Sequence, residues 1–337
     1  MNLLAIETSC DETAAAILRD GREIVSSVVA SQIELHAPHG GVVPELAARA
    51  HLETIGPTVD AALAALPGGW DDVEAISVTR GPGLIGCLVV GAAFAQAAAL
   101  ARGLPVVGVS HLAGHVYSAW LADAALEPPY LALVASGGHT ECVLLRDHGA
   151  ADRLAGTRDD AVGEAFDKVA RMLGLPYPGG PAVERAARDG DPSRFPLPRT
   201  RLEGAFSYSG LKTAVRYAVR DLGAGALTER GTPADPSVVA SLAASFQAAA
   251  VDQLVDQLEA AVERTGAGRV AVVGGVAANR ALRGAVADRL RGLTLVVPPM
   301  ALCTDNAAMI GAAGWHRLQR LGDECGFGVD PALEDYA

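Results

Sequence analysis

The sequence predicts an α/β protein made of two duplicated lobes around a central cleft. Three observations predict it. A hairpin-like segment at the start of the chain recurs later. Each copy is followed by a strand that runs into a glycine turn and a helix. Half of the residues are hydrophobic while only 4% are aromatic, so alanine, valine, leucine and glycine do the filling. That composition suits close helix-on-sheet packing.

The first copy begins with the apolar run Leu3–Ile6, followed by a turn from Glu7 to Thr13 and a second apolar run to Leu18. Strand, polar turn, strand is the natural reading. The turn is rich in hydroxyls and carboxylates and suits a phosphate or a metal, though a plain hairpin tip has the same composition. Residues 131–147 align with 4–20 without a gap, and seven positions in seventeen are identical. Leu4, Ala5, Ser9, Thr13, Leu18, Arg19 and Asp20 meet Leu131, Ala132, Ser136, Thr140, Leu145, Arg146 and Asp147. A second echo relates Val73–Val78, ahead of Gly81-Pro82-Gly83, to Val270–Val273, ahead of Gly274-Gly275. The layout resembles the actin, hexokinase and Hsp70 superfamily of nucleotide-cleft proteins, with ribonuclease H-like lobes. It places a first lobe at 1–110, completed by 305–337, and a second at 111–304 with inserted helices and a basic loop. Gly137 and Gly138 let backbone N–H groups approach a phosphate closely. Gly274-Gly275 leaves room for an adenosine ring, with Asn279 expected one turn into the following helix.

Between the copies, His36–Glu45 reads as an exposed loop, and Pro44 suits a helix start. Residues 83–101 are uncharged, which raises a membrane question. Their glycines and alanines favour a buried helix, and no membrane partner is expected. His111 and His115 are four apart, on one helix face, where two imidazoles can grip one ion. The plain alternative is two histidines on a polar face. No glutamate lies between them, unlike a zinc peptidase of the His-Glu type.

From Asp160 to Arg171, charged residues recur at helical spacing opposite Ala161, Phe166, Val169 and Met172. This is either a solvated, salt-bridged face or a set of carboxylates for ribose hydroxyls. Arg194, Arg199 and Arg201 punctuate a proline-rich loop ahead of Phe206–Thr213, a candidate nucleic-acid contact or an ordinary excursion. Residues 221–236 read as a mobile linker, followed by helices from Val238 to about Arg264. Thr304 or Asp305 is expected to cap the last helix. The functional reading of Asp305 is a carboxylate completing a site with His111 and His115, with positions left open for substrate.

The net charge of -12 opposes nonspecific binding of polyanions. Cys10, Cys87, Cys142, Cys303 and Cys325 are scattered without a Cys-x-x-Cys pair, and no signal peptide is evident, so a cytoplasmic protein is expected. Lysine occurs only at Lys168 and Lys212. Arginine-favouring codons explain this, or else those positions require a compact, titratable amine.

Eight stretches then occur in family order: Ile6–Thr13, Gly40–Glu45, His111–His115, Ser136–Thr140, Gly163–Lys168, Tyr177–Pro181, Phe206–Lys212 and Cys303–Asn306. They resemble the bacterial tRNA N6-adenosine threonylcarbamoyltransferase family, TsaD, formerly called O-sialoglycoprotein endopeptidase. The resemblance implies transfer of threonylcarbamoyl from threonylcarbamoyl-adenylate to N6 of adenosine 37 in tRNAs reading ANN codons. It implies one divalent metal ion, iron or zinc, on His111, His115 and Asp305. It implies substrate contacts at Val134, Ala135, Ser136, Gly137, Gly138, Asp167, Gly180, Glu184 and Asn279. It further implies a dimerising paralogue lacking the metal site and a P-loop ATPase as partners. Val134 stands where archaeal and eukaryotic relatives carry a tyrosine, which points to the bacterial branch.

The exocyclic amine of adenine is a poor nucleophile, so a base must take its proton. Asp11 and His139, from the duplicated turns, are the candidates. An ATPase or kinase on the same scaffold would hold magnesium through carboxylates and water rather than imidazoles. A metallopeptidase would need the absent glutamate. A noncatalytic scaffold would not require His111, His115 and Asp305.

Overall fold

The structure is a computed structural model that describes residues 1–200, 202–324 and 326–336. Arg201 of the basic loop and Cys325 lie outside the described residues.

Strands β1 (Asn2–Glu7), β2 (Glu12–Arg19), β3 (Glu23–Ser31), β4 (Ala75–Gly81) and β5 (Val106–Ser110) form one sheet in the order β3-β2-β1-β4-β5. β1 runs antiparallel to β2 and parallel to β4, and β4 runs parallel to β5. Leu3, Leu4, Ala5 and Ile6 are all buried. Both faces of β1 are covered, so its sequence is continuously apolar rather than alternating. A second sheet contains β6 (Tyr130–Ala135), β7 (Thr140–Asp147), β8 (Ala150–Thr157), β9 (Ala205–Phe206), β10 (Arg269–Val273) and β11 (Thr294–Val296). Its order is β11-β10-β6-β7-β8-β9.

The duplication extends to register. The order β8-β7-β6-β10-β11 repeats β3-β2-β1-β4-β5, with β9 as an addition. In the first sheet Leu4 pairs with Ile76 and Ala5 with Ser77. At the matching positions of the second, Leu131 pairs with Val270 and Ala132 with Ala271.

The chain divides into two compact units, Met1–Pro129 with Leu145–Asp152 and Pro298–Ala337, and Tyr130–Leu144 with Arg153–Val297. The boundary differs from the expected one after Ser110. The helix His111–Ala122 stays with the first unit because it packs on the helix Ala307–Leu321. The short helix Met300–Cys303 packs on the same element and brings Pro298 back with it.

The stretch after His36 is exposed as expected at Ala37, Pro38 and His39, but His36 itself is buried, with Nε2 3.1 Å from Gln32 Oε1 and Nδ1 accepting from the Val43 N–H at 3.3 Å. Two other expectations are corrected. The expected linker is ordered, with Thr228 N–H donating to Thr232 O at 2.8 Å and Ala234 N–H to Ala226 O at 2.9 Å. The uncharged run forms the helix Ile85–Arg102, which buries Cys87, Leu88, Gly91, Ala92, Ala95 and Ala99 but exposes Ile85, Val89 and Leu100. Only 33% of it is buried, so it is a one-faced helix rather than a buried one. That helix and Pro236–Thr265 are both long and apolar enough to cross a membrane by length and composition. The helix Pro44–Leu63 does begin at Pro44.

Candidate functional site

In the first unit, β5 ends at Ser110, whose hydroxyl caps the helix His111–Ala122 by accepting from the Ala113 N–H. His111 and His115 follow one turn apart on that helix, with ring centroids 4.7 Å apart. Asp305 arrives from the loop after Met300–Cys303. Asn306, not Thr304 or Asp305, caps the helix Ala307–Leu321, accepting from the Met309 N–H at 3.0 Å. The Asp305 carboxylate is therefore not spent on the helix end. It lies 3.6 Å from His111 Nε2 and 3.4 Å from His115 Nε2. One ligand atom from each of the three residues lies within 4.8 Å of the others.

The donor set fits a metal. Ligand atoms around a tetrahedral ion with bonds of about 2.0–2.1 Å sit about 3.4 Å apart, close to both histidine–aspartate distances. His115 is fully buried, yet neither of its ring nitrogens has a hydrogen bond among the described residues. Buried polar groups are nearly always paired, so a buried imidazole facing a carboxylate 3.4 Å away without a hydrogen bond suits a cation between them. His111 is held from behind: its Nδ1 is 3.1 Å from Glu7 Oε2 and 3.1 Å from Ser9 Oγ. An Nδ1–H donated to Glu7 leaves the Nε2 lone pair directed at Asp305. Burial alone would lower His111, but the Asp305 and Glu7 carboxylates outweigh it and lift it to about 9. Burial holds His115 below the usual histidine range. Two carboxylates beside these buried rings, Glu7 buried and Asp305 25% exposed, favour a cation or a proton.

Glu7 and Ser9, which contact His111, are residues the sequence reading did not single out, although both stand in the first polar turn. Glu7 is buried and also accepts from the Ser9 N–H and the Thr79 hydroxyl. Glu7→Gln would turn an amide donor toward one of three groups that already donate. Metal affinity is expected to fall about 10–100-fold, the usual loss for such a partner, as checked by competition with a chelating dye. Asp11 lies in the same turn. Burial, then the Asp305 charge, raises its carboxyl above the usual range.

A histidine and aromatic cluster braces the two helices beside these ligands. Tyr117 Oη lies 3.2 Å from His148 Nδ1, and the His148 ring stacks on His316 at 3.7 Å. Tyr117 stands two residues after His115, and His316 is on Ala307–Leu321.

In the second unit, the turn Ser136–His139 joins β6 to β7. The Ser136 N–H donates to His139 O at 2.8 Å and the His139 N–H to Ser136 Oγ at 3.1 Å. The carbonyls of Ser136 and Gly137 accept the Gly163 and Glu164 N–H groups, each at 3.2 Å. These are amides of the first turn of Val162–Met172. Gly137 and Gly138 are exposed, and a Cβ at either would meet nothing within 4 Å. The space over that backbone is open to a ligand. Gly163 is different: a Cβ there would lie 2.6 Å from Ser136 O and 2.8 Å from Gly137 Cα.

The remaining candidates are linked in a ring. Asp167 Oδ1 accepts the Gly179 N–H at 2.7 Å, at the start of the helix Gly179–Ala187. That helix carries Gly180, open above its Cα, and Glu184, whose Oε1 accepts the Arg280 N–H at 3.2 Å. Gly274, with φ of 89°, presses on the Ala135 backbone, where a Cβ would come within 2.5 Å of Ala135 O. Val134, Ala135, Ser136, Gly137, Gly138, Asp167, Gly180, Glu184 and Asn279 thus share one neighbourhood. Asn279 is not one turn into its helix but is its N-cap, accepting from the Leu282 N–H at 3.1 Å.

Around Lys168 the charged face of Val162–Met172 is salt-bridged. Lys168 Nζ pairs with Asp160 at 2.7 Å and Glu164 at 2.6 Å, and Lys212 pairs with the other oxygen of Asp160. Hydrogen bonds to Asp160 and Glu164 raise Lys168 above the usual lysine range. A titratable amine is not what this position supplies.

The family model described as tRNA N6-adenosine threonylcarbamoyltransferase matches residues 23–312. A Gloeobacter violaceus protein of that name is 50% identical over 321 residues, covering 94% of this chain and 91% of its own. HypF of T. kodakarensis has a TM-score of 0.66 at 14% identity over 95% of this chain, which spans 48% of that protein. ROK hexokinase from Thermus thermophilus has a TM-score of 0.50 at 19% identity, over 95% of this chain and 99% of its own. The two structures share the actin/hexokinase-like fold with this chain.

Proposed function

The chain belongs to the tRNA N6-adenosine threonylcarbamoyltransferase family, and from that premise we propose the reaction in full. The chain transfers threonylcarbamoyl from threonylcarbamoyl-adenylate to N6 of adenosine 37 in tRNAs reading ANN codons, and releases AMP. The observation that supports it most is the approach of His111, His115 and Asp305 to within 4.8 Å of one another.

These three residues would hold one divalent ion, iron or zinc. When bound, such an ion supplies Lewis-acid polarisation of a carbamoyl or phosphate oxygen. Glu7 fixes the ring of His111. The open backbone at Gly137 and Gly138 suits the adenylate phosphate, and the ring formed by Asp167, Gly180, Glu184 and Asn279 suits its nucleoside. The N6 lone pair forms the new C–N bond, the bond from the carbamoyl carbon to the phosphate oxygen breaks, and the N6 proton passes to Asp11 or His139. Burial, by raising Asp11, brings it nearer the working pH of a general base.

The proposal includes partners. The exposed apolar side chains Leu52, Ile85, Val89 and Leu100 on Pro44–Leu63 and Ile85–Arg102 suit a paralogue lacking the metal site. A P-loop ATPase completes the set, and the net charge of -12 makes help in holding tRNA expected.

The test is incubation of full-length protein and partners with donor and an unmodified tRNA transcript, followed by mass spectrometry of the nucleosides. Modified adenosine and AMP are expected in equal amounts. Recovery of unmodified adenosine alone, with metal bound, sinks the reading. Replacing the true base among Asp11→Ala and His139→Ala should lower kcat about 10²–10⁴-fold with metal content unchanged. Full turnover in both variants would overturn the base assignment and leave the transfer reaction standing.

A further inference from the structure

The helix Ser209–Asp221 buries Leu211, Val215 and Val219. On its other side Arg216, Tyr217 and Arg220 face solvent. In a chain with 4% aromatic residues, Tyr217 is 45% exposed, and it is the one aromatic among the exposed large apolar side chains of the described residues. Two guanidinium groups flank it, with Arg220 Cζ 4.7 Å and Arg216 Cζ 5.7 Å from the ring centroid. Among the described residues no carboxylate lies within ion-pair distance of Arg216. Arg220 pairs with Asp221 at 2.7 Å, but both side chains are more than 60% exposed. An exposed pair of this kind is worth little and exchanges readily for a phosphate.

An aromatic ring between two planar cations matches the chemistry of an RNA strand. Unpaired bases stack on aromatic rings and guanidinium planes, and phosphates take the guanidinium fork. Tyrosine and arginine also suit a protein partner, and it is the transferase reading that favours a polynucleotide here. The helix is also rigidly placed. Asp159 Oδ1 accepts the N–H groups of Tyr208 and Ser209 at 2.8 and 3.2 Å, and the helix packs on Val162–Met172, which carries Gly163 and Asp167.

We propose that Arg216, Tyr217 and Arg220 form a tRNA contact surface on the second unit, the ring stacking on an unpaired base while the guanidinium groups meet its flanking phosphates. This rests on the transferase reading and goes beyond it by naming where the polynucleotide lies.

The test uses full-length protein with its partners and a labelled, unmodified tRNA transcript, titrated at three salt concentrations and followed in the transfer assay. Tyr217→Ala should weaken binding about tenfold at every salt concentration, and Tyr217→Phe should keep wild-type affinity, because the stacking face survives. Combined Arg216→Glu and Arg220→Glu should reduce the salt slope by about 1.4–1.8, at roughly 0.7–0.9 per phosphate contact. Arg291→Glu, a charge change elsewhere on the same unit, should leave the slope as it was. In the transfer assay Tyr217→Ala should raise KM for tRNA and spare kcat. Wild-type KM, affinity and slope in the Tyr217→Ala and double variants overturn this surface while transfer stands, as does loss of a protein partner with tRNA affinity intact. A wild-type protein that neither binds nor modifies tRNA overturns the surface and the transferase reading together.

Discussion

Asp305→Ala is expected to abolish stoichiometric metal binding and to lower turnover by at least about a thousandfold. The argument is geometric. Two imidazoles alone give an ion two neutral ligands, and Asp305 supplies the charge and the third direction. The polarisation such an ion provides is worth several kcal/mol, and each 1.36 kcal/mol is tenfold in rate. The control is adenosine affinity, since adenosine carries neither the carbamoyl nor the phosphate oxygen that the ion would polarise. Metal content and turnover should fall while adenosine binding stays at the wild-type level. Full metal occupancy in Asp305→Ala would show that the histidines work without it.

Gly163→Val is expected to do the reverse, keeping the metal and losing the adenylate. The added Cβ would fall 2.6 Å from Ser136 O and 2.8 Å from Gly137 Cα. Those neighbours are backbone atoms, with no flexible end to swing away. The turn must shift, and the bonds from the Gly163 and Glu164 N–H groups to its carbonyls go with it. A displacement of this kind at a substrate-positioning element costs about 10²-fold. Isothermal titration with a nonhydrolysable adenylate should show the loss, with metal content at the wild-type level. Wild-type affinity would mean that the turn does not carry the phosphate.

Much of the fold was legible because the chain states it twice. The hairpin repeat that aligns Leu4 with Leu131 carries its strand partners with it, Leu4 pairing with Ile76 and Leu131 with Val270. The cluster of His111, His115 and Asp305 was legible as residue types at helical spacing plus one late carboxylate. What stayed hidden depends on distance between elements. Asp305 and Asn306 are both good caps by chemistry, and only the path of the chain decides that Asn306 takes the role. Glu7 reads as one more acid in a polar turn until His111 is placed against it. The loop around His36 reads as exposed because glycine and proline mark loops, yet a loop can still bury one imidazole.

Asp160 holds both lysine ammonium groups of the chain, and Met1 lends its own to Asp20. An amine attacks an activated carbonyl only through its free lone pair, which a clamped and protonated nitrogen does not offer. Under the proposed chemistry the donor is such an electrophile. Under that chemistry Lys168, held protonated by its carboxylates, is a poor competitor for the donor beside the adenine.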